Sequence, residues 1–240
     1  MSIITDIYRN MQRRHPSVLF YGDPTRHEIA LTFDDGPHPR DTPQVLDVLA
    51  KHGIHATFFL VGQYVEQYPQ LVKRIHESGH HIGIHCYRHL PFPLENASTL
   101  KGQLDRSRNA IANACGISPD TIRDIRPPYG IFTSRTLSYL TEWGYHLVMW
   151  SSIPQHWMQP TNWTVRQVLD ETVPGAVIVL HDGHGHGRKV TQILEVIIPK
   201  LKSMKFQFVT IEQIHSMESA SSLANTQEQA PAFQNKGEHK

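Results

Sequence analysis

Between residues 27 and 210 the chain alternates short apolar runs with amphipathic helical stretches, and few folds satisfy that order. The apolar runs are 27–33, 55–61, 81–85, 122–126, 145–150, 176–181 and 206–210. The first alternates polar and apolar residues, as a half-buried strand does, whereas 55–61 is almost continuously apolar, like a strand covered on both faces. Helices fill the gaps. One opens at Asp41-Thr42-Pro43 and stops at Gly53, with Val45, Leu46 and Leu49 as its buried stripe; another runs from Pro69 to Gly79. Further helices are expected over 98–115, 134–143 and 164–173. A last one carries Ile193, Leu194, Ile197 and Leu201, and Pro199 should kink or break it. Seven strands alternating with helices predict an α/β protein with a parallel sheet, at a length suited to a (β/α) barrel. A doubly wound open sheet is the second solution. We expect an N-terminal extension over 1–25, one catalytic domain over 26–215, and a disordered tail over 216–240, where Ser, Gln, Ala, Asn and Glu replace apolar residues.

Composition narrows the function. A net charge of +1 points to neither nucleic acid nor a membrane surface, and no window reaches transmembrane length. No signal-peptide run follows Arg9, Arg13 and Arg14, so the chain is expected to be cytoplasmic by default, with a processed exported or cell-wall protein as the alternative. Two cysteines, Cys86 and Cys115, make no disulfide framework. Histidine, at 17 residues, is unusually abundant, and it is the commonest metal ligand.

Four motifs carry chemistry, each at the carboxyl end of an expected strand. In Thr32-Phe33-Asp34-Asp35-Gly36-Pro37 the glycine and proline end the strand just after two adjacent carboxylates. One can ligate a cation while its neighbour stays free as a base. The same residues also describe a solvated turn. His85-Cys86-Tyr87-Arg88-His89 spaces two imidazoles at i and i+4, which on a helical face would reach one ion; alone it equally describes two surface histidines. With Asp35 it gives one carboxylate and two imidazoles, a set that fits a catalytic divalent ion, most simply zinc. In Arg126-Pro127-Pro128-Tyr129-Gly130 the prolines lack N–H groups, so that of Tyr129 is available to an oxyanion and Arg126 to an acid; a rigid turn is the bland alternative. Finally, His181-Asp182 ends a buried strand, where His181 can protonate a leaving group. In a barrel all four lie on one rim, the one that carries active sites.

Together and in this order, these motifs resemble the polysaccharide deacetylase family, carbohydrate esterase family 4, over roughly residues 26 to 215. The resemblance implies an irregular (β/α)7-8 barrel and metal-dependent removal of acetyl groups from sugars. The metal would be a divalent ion, Zn2+ first and Co2+ second, and the substrate an acetylated glycan of chitin or peptidoglycan type. Position by position, Asp34 resembles the catalytic base and Asp35, His85 and His89 the metal ligands. Arg126 resembles the residue that orients the base, Tyr129 the oxyanion donor and His181 the catalytic acid. Trp157 and Val179 resemble the apolar pocket for the acetyl methyl, and Pro128 is assigned to the same substrate-binding wall.

One motif departs from the family. Members usually carry two aspartates in the loop that here reads Trp150-Ser151-Ser152-Ile153-Pro154-Gln155-His156-Trp157, and Ile153 and His156 stand in their places. The second of those aspartates supports the catalytic histidine. Asp182 or a nearby histidine is a candidate substitute, and a catalytically weak sugar- or metal-binding barrel is the alternative function, with an esterase acting on O-acetylated glycan as a third. Cys86, beside His85, is read as a buried filler, and His184 and His186 as part of a flexible polar loop.

Overall fold

A computed structural model describes residues 3–183 and 187–217. Helix α1 (Ile3–Arg14) leads into strand β1 (Val18–Leu19). There follow β2 (Glu28–Asp34), α2 (Asp41–His52), β3 (Thr57–Val61), α3 (Gly62–Gln67), α4 (Pro69–Glu77), β4 (His81–Cys86), α5 (Ala97–Cys115), β5 (Asp124–Ile125), α6 (Ser134–Glu142), β6 (His146–Val148), α7 (Thr161–Glu171), β7 (Val177–His181), α8 (Gly187–Ser203) and β8 (Gln207–Val209). Residues 211–217 are again helical. The tail from 218 and the 184–186 histidine loop lie outside the described residues.

The strands form one sheet in the order β1-β6-β5-β4-β3-β2-β7, with β8 also on β2, and the ladders are parallel. Helices cover it, so both faces are apolar and the strands read as near-continuous hydrophobic runs. The expected barrel is formed in its irregular, open version. The ladder ends at β1 and β7; among the described residues the gap is spanned by two isolated bridges, Tyr21↔Ala176 and Ser152↔Ile178, and by a few backbone hydrogen bonds such as Ser151 N–H to the Val177 carbonyl. The physical reason is length: β1 and β6 have two and three residues, too few to carry a ladder round to β7. The result is a half-barrel.

The N-terminal stretch is docked to the sheet. Gln12 on α1 accepts the Phe20 N–H at 2.7 Å, Trp150 donates to the Tyr8 hydroxyl at 3.0 Å, and β1 pairs with β6. The apolar residues of α1 recur at helical spacing, with Tyr8 and Met11 packed against the core, whereas β1 is two residues long. Helix α2 is as expected, with Val45, Leu46 and Leu49 buried and Gly53 ending it at φ 58°, the left-handed conformation that glycine adopts without a Cβ clash. By contrast, α8 runs through Pro199 unbroken. Pro199 removes one backbone donor, while Ile193, Leu194, Ile197, Ile198 and Leu201 are all fully buried and hold the helix in place.

Candidate active site

The four motifs meet at the carboxyl ends of β2, β4, β5 and β7, around a cavity of about 560 Å3. Strands β2 and β7 set its floor, because Asp34 and His181 are direct partners across that ladder. Asp34, almost fully buried, accepts from Arg126 Nη1 at 2.8 Å. Arg126 is buried completely, and its fork is spent on four acceptors. Nη1 also donates to Thr32 Oγ1 at 2.7 Å, Nη2 to the Met149 carbonyl at 2.8 Å, and Nε to the Val148 carbonyl at 3.3 Å. Its guanidinium lies 4.1 Å from the Phe59 ring centre. Burial pushes the Arg126 pKa down while Asp34 opposes the shift. A buried cation with its donors satisfied is a rigid support for the carboxylate it holds.

Asp35 turns away at φ 72°, and its Oδ1 stands 3.3 Å from His85 Nε2 and 3.1 Å from His89 Nε2. The two imidazole nitrogens are 3.2 Å apart. His85 Nδ1 donates to the Arg126 carbonyl at 2.8 Å, which fixes the tautomer and leaves Nε2 with its lone pair toward Asp35. Adjacent donors of a tetrahedral zinc site at ~2.05 Å lie ~3.3 Å apart, so this spacing is that of a ligand set. Burial would raise the Asp35 pKa, but His85 and His89 hold it far below the carboxylate range. Burial works against a charged His85, and Asp34 and Asp35 outweigh it, so its pKa is raised. The pair does not sit on a helix, as the i and i+4 spacing suggested. His85 is on β4, extended by pairing with β3, and residues 87–89 bend to bring His89 back. Gly183 is part of the same packing: a Cβ there would lie 2.7 Å from the Asp35 carbonyl oxygen.

His181 is the incomplete member. Burial lowers its pKa, with Asp34 and Asp35 opposing, and its buried Nδ1 has no hydrogen-bond partner among the described residues. His156, fully buried, places its ring 5.2 Å from that of His181 at an angle of 32°, and Trp157 meets His181 edge-on at 4.8 Å. Asp182 is not the substitute carboxylate. It is bonded to Thr42 Oγ1 on the far side, and burial pushes its pKa up to about 7.

The remaining expected residues are divided. Trp157 and Tyr129 line the cavity, and Tyr129, at φ 60°, sets its ring edge-on to His89 at 4.7 Å. Val179 is fully buried in β7 below the rim, and Pro127 lines the wall where Pro128 was expected. Trp150, Ile153 and Gln155 also line it; the sequence marked Ile153 only as the replacement of an aspartate, since a loop residue carries no local signal of where it faces. A somewhat larger but more open groove between α3 and α5 holds the Arg106–Glu66 ion pair, with no convergent donors of this kind among the described residues.

Known proteins share this chain's sequence pattern and fold. Residues 21–148 match the family model for polysaccharide deacetylase. The chain is 37% identical over 194 residues to a peptidoglycan-N-acetylglucosamine deacetylase of Bacillus cereus, covering 80% of this chain and 70% of the relative. It is 34% identical over 209 residues to a chitooligosaccharide deacetylase of a Bradyrhizobium species, covering 81% and 94%. Among solved structures, the Bc1960 peptidoglycan N-acetylglucosamine deacetylase bound to 4-naphthalen-1-yl-N-oxidanyl-benzamide superposes with a TM-score of 0.78 at 35% identity, over 82% of this chain and 92% of that one.

Proposed function

This chain belongs to the polysaccharide deacetylase family, and we propose that it hydrolyses acetyl groups from N-acetylated sugars of a chitin- or peptidoglycan-like glycan. The observation that carries this reading is the pairing of a three-donor cluster with a separate, arginine-held carboxylate on one cavity floor. A cation held by Asp35, His85 and His89, with zinc the best fit to the donor set and cobalt the second, would supply Lewis acidity to the acetyl carbonyl and to water. Asp34 takes the proton from the attacking water; its bond to Arg126 keeps it aimed. Negative charge developing on the acetyl oxygen falls to the backbone N–H of Tyr129. His181 gives its proton to the departing amine. Trp157 and Pro127 supply apolar walls for the methyl and the sugar face.

Acetate release from N-acetylated chitooligosaccharides and from peptidoglycan, with zinc or cobalt added, tests this. We expect release by the parent chain and a loss of about 10²–10⁴-fold in Asp34→Asn, with the metal still bound. No release from any acetylated glycan by the metal-loaded parent would overturn the assignment. One observation favours a second reading, a barrel that binds glycan and metal but turns over slowly: the buried His181 Nδ1 has no hydrogen-bond partner among the described residues. Release comparable to that of Asp34→Asn would select it.

A further inference from the structure

At the opposite, amino-terminal end of the sheet, four elements deliver a second cluster of metal-ligating groups. Asp124 is the first residue of β5, His146 the first of β6 and its direct partner in the ladder, and His81 the first of β4; His215 comes from the helical stretch 211–217. Asp124 is buried. Its Oδ1 stands 3.0 Å from His215 Nε2 and 3.4 Å from His146 Nδ1, while its Oδ2 takes His81 Nε2 at 2.7 Å.

We propose that Asp124, His146 and His215 form a second divalent-cation site, for a zinc-like ion, that fastens the 211–217 helix to the base of the sheet. Three observations carry it. First, the donor set matches that of the rim cluster: one carboxylate oxygen and two imidazole nitrogens within 4.8 Å of one another. Second, the oxygen–nitrogen distances, 3.0 and 3.4 Å, bracket the ~3.3 Å between neighbouring ligands of a tetrahedral zinc ion. The His146 distance is long for a charge-assisted hydrogen bond, normally ~2.7–2.9 Å, so a proton is a poor filler on that side. Third, the support a ligating carboxylate needs is present, because His81 holds the other oxygen. The His146 side chain is 49% exposed, so an ion can reach the cluster from solvent and keep open positions for water.

Zinc counting on the full chain tests the site without reference to activity. After equilibrium dialysis against micromolar zinc chloride, the parent should hold two ions per chain. His85→Ala/His89→Ala should hold one, and its Tm should rise on zinc addition because an ion at the base secures the terminal helix. His146→Ala/His215→Ala should also hold one and should release acetate at the parent rate. His146→Gln, a milder change at a half-exposed position, should lose the same ion and guards against misfolding of the double variant. A parent-like zinc count in folded His146→Gln, or no zinc and no Tm shift in His85→Ala/His89→Ala, would overturn the proposal. Loss of acetate release with both ions retained would count against the deacetylase assignment alone.

Discussion

Replacing His156 by aspartate would put a carboxylate beside an imidazole that now has none. The His156 and His181 ring centres are 5.2 Å apart, with His156 fully buried and His181 partly buried at the cavity floor. At an effective dielectric constant of about 20, opposite unit charges at that separation attract by roughly 3 kcal/mol, or about 2 pKa units. Burial holds the His181 pKa below its ordinary 6.5, so the proton it needs as an acid is scarce at neutral pH. His156→Asp should therefore raise the His181 pKa by about 2 units and carry the alkaline limb of kcat/KM upward by the same amount. At a fixed pH above both values, that is about 100-fold in rate. The assay is acetate release from a chitooligosaccharide between pH 5 and 9, with His156→Asn as the neutral control of similar size. If both variants show the same limb, or if His156→Asp leaves it where the parent has it, His181 is not the acid or residue 156 does not face it.

Three further outcomes follow from other contacts. Arg126→Met removes the cation from a buried Asp34 and should cost about 3–5 kcal/mol in urea unfolding, part of it recovered by adding Asp34→Asn; a loss below about 1 kcal/mol would show that the pair is solvated. Gly83→Ala sets a Cβ 2.6 Å from Phe59 Cε1 and 2.9 Å from the Asp124 carbonyl oxygen, so overpacking should cost about 1–3 kcal/mol, read as a lower Tm. His80 is buried and neutral, its pKa lowered to about 4 by burial, and its Nδ1 accepts the Ala56 N–H at 3.1 Å. Unfolded His80 binds more protons between pH 6.5 and about 4, so its contribution is complete above 6.5 and is withdrawn as pH falls through that window, by up to about 3 kcal/mol. His80→Asn keeps an acceptor and should flatten the pH dependence of unfolding there; an unchanged acid sensitivity would place its source elsewhere.

The legible part of the site was local. Asp34-Asp35, His85, Arg126 and His181 each end a strand whose apolar pattern shows in the sequence, and a parallel α/β sheet sends all such ends to one side. His89 was legible as a residue but not in its geometry, because pairing of β4 with β3 keeps the chain extended where i and i+4 spacing alone suggests a helix. The partner of His181 was less legible still. Ile153 and His156 mark a missing carboxylate, yet only the packing of that loop shows His156 beside the ring and Asp182 engaged by Thr42 instead.

The sequence by itself determined the order of elements, the parallel α/β class and the rim motifs, because periodicity and turn residues act over a few neighbours. Tertiary structure decided that the sheet stays open, since closure depends on whether β1 and β6 are long enough to pair onward. It alone assembled Asp124, His146 and His215, which lie far apart in the chain and meet only at the base of the folded sheet. Contacts between distant residues are set by how whole elements pack, and no short window of sequence carries that information.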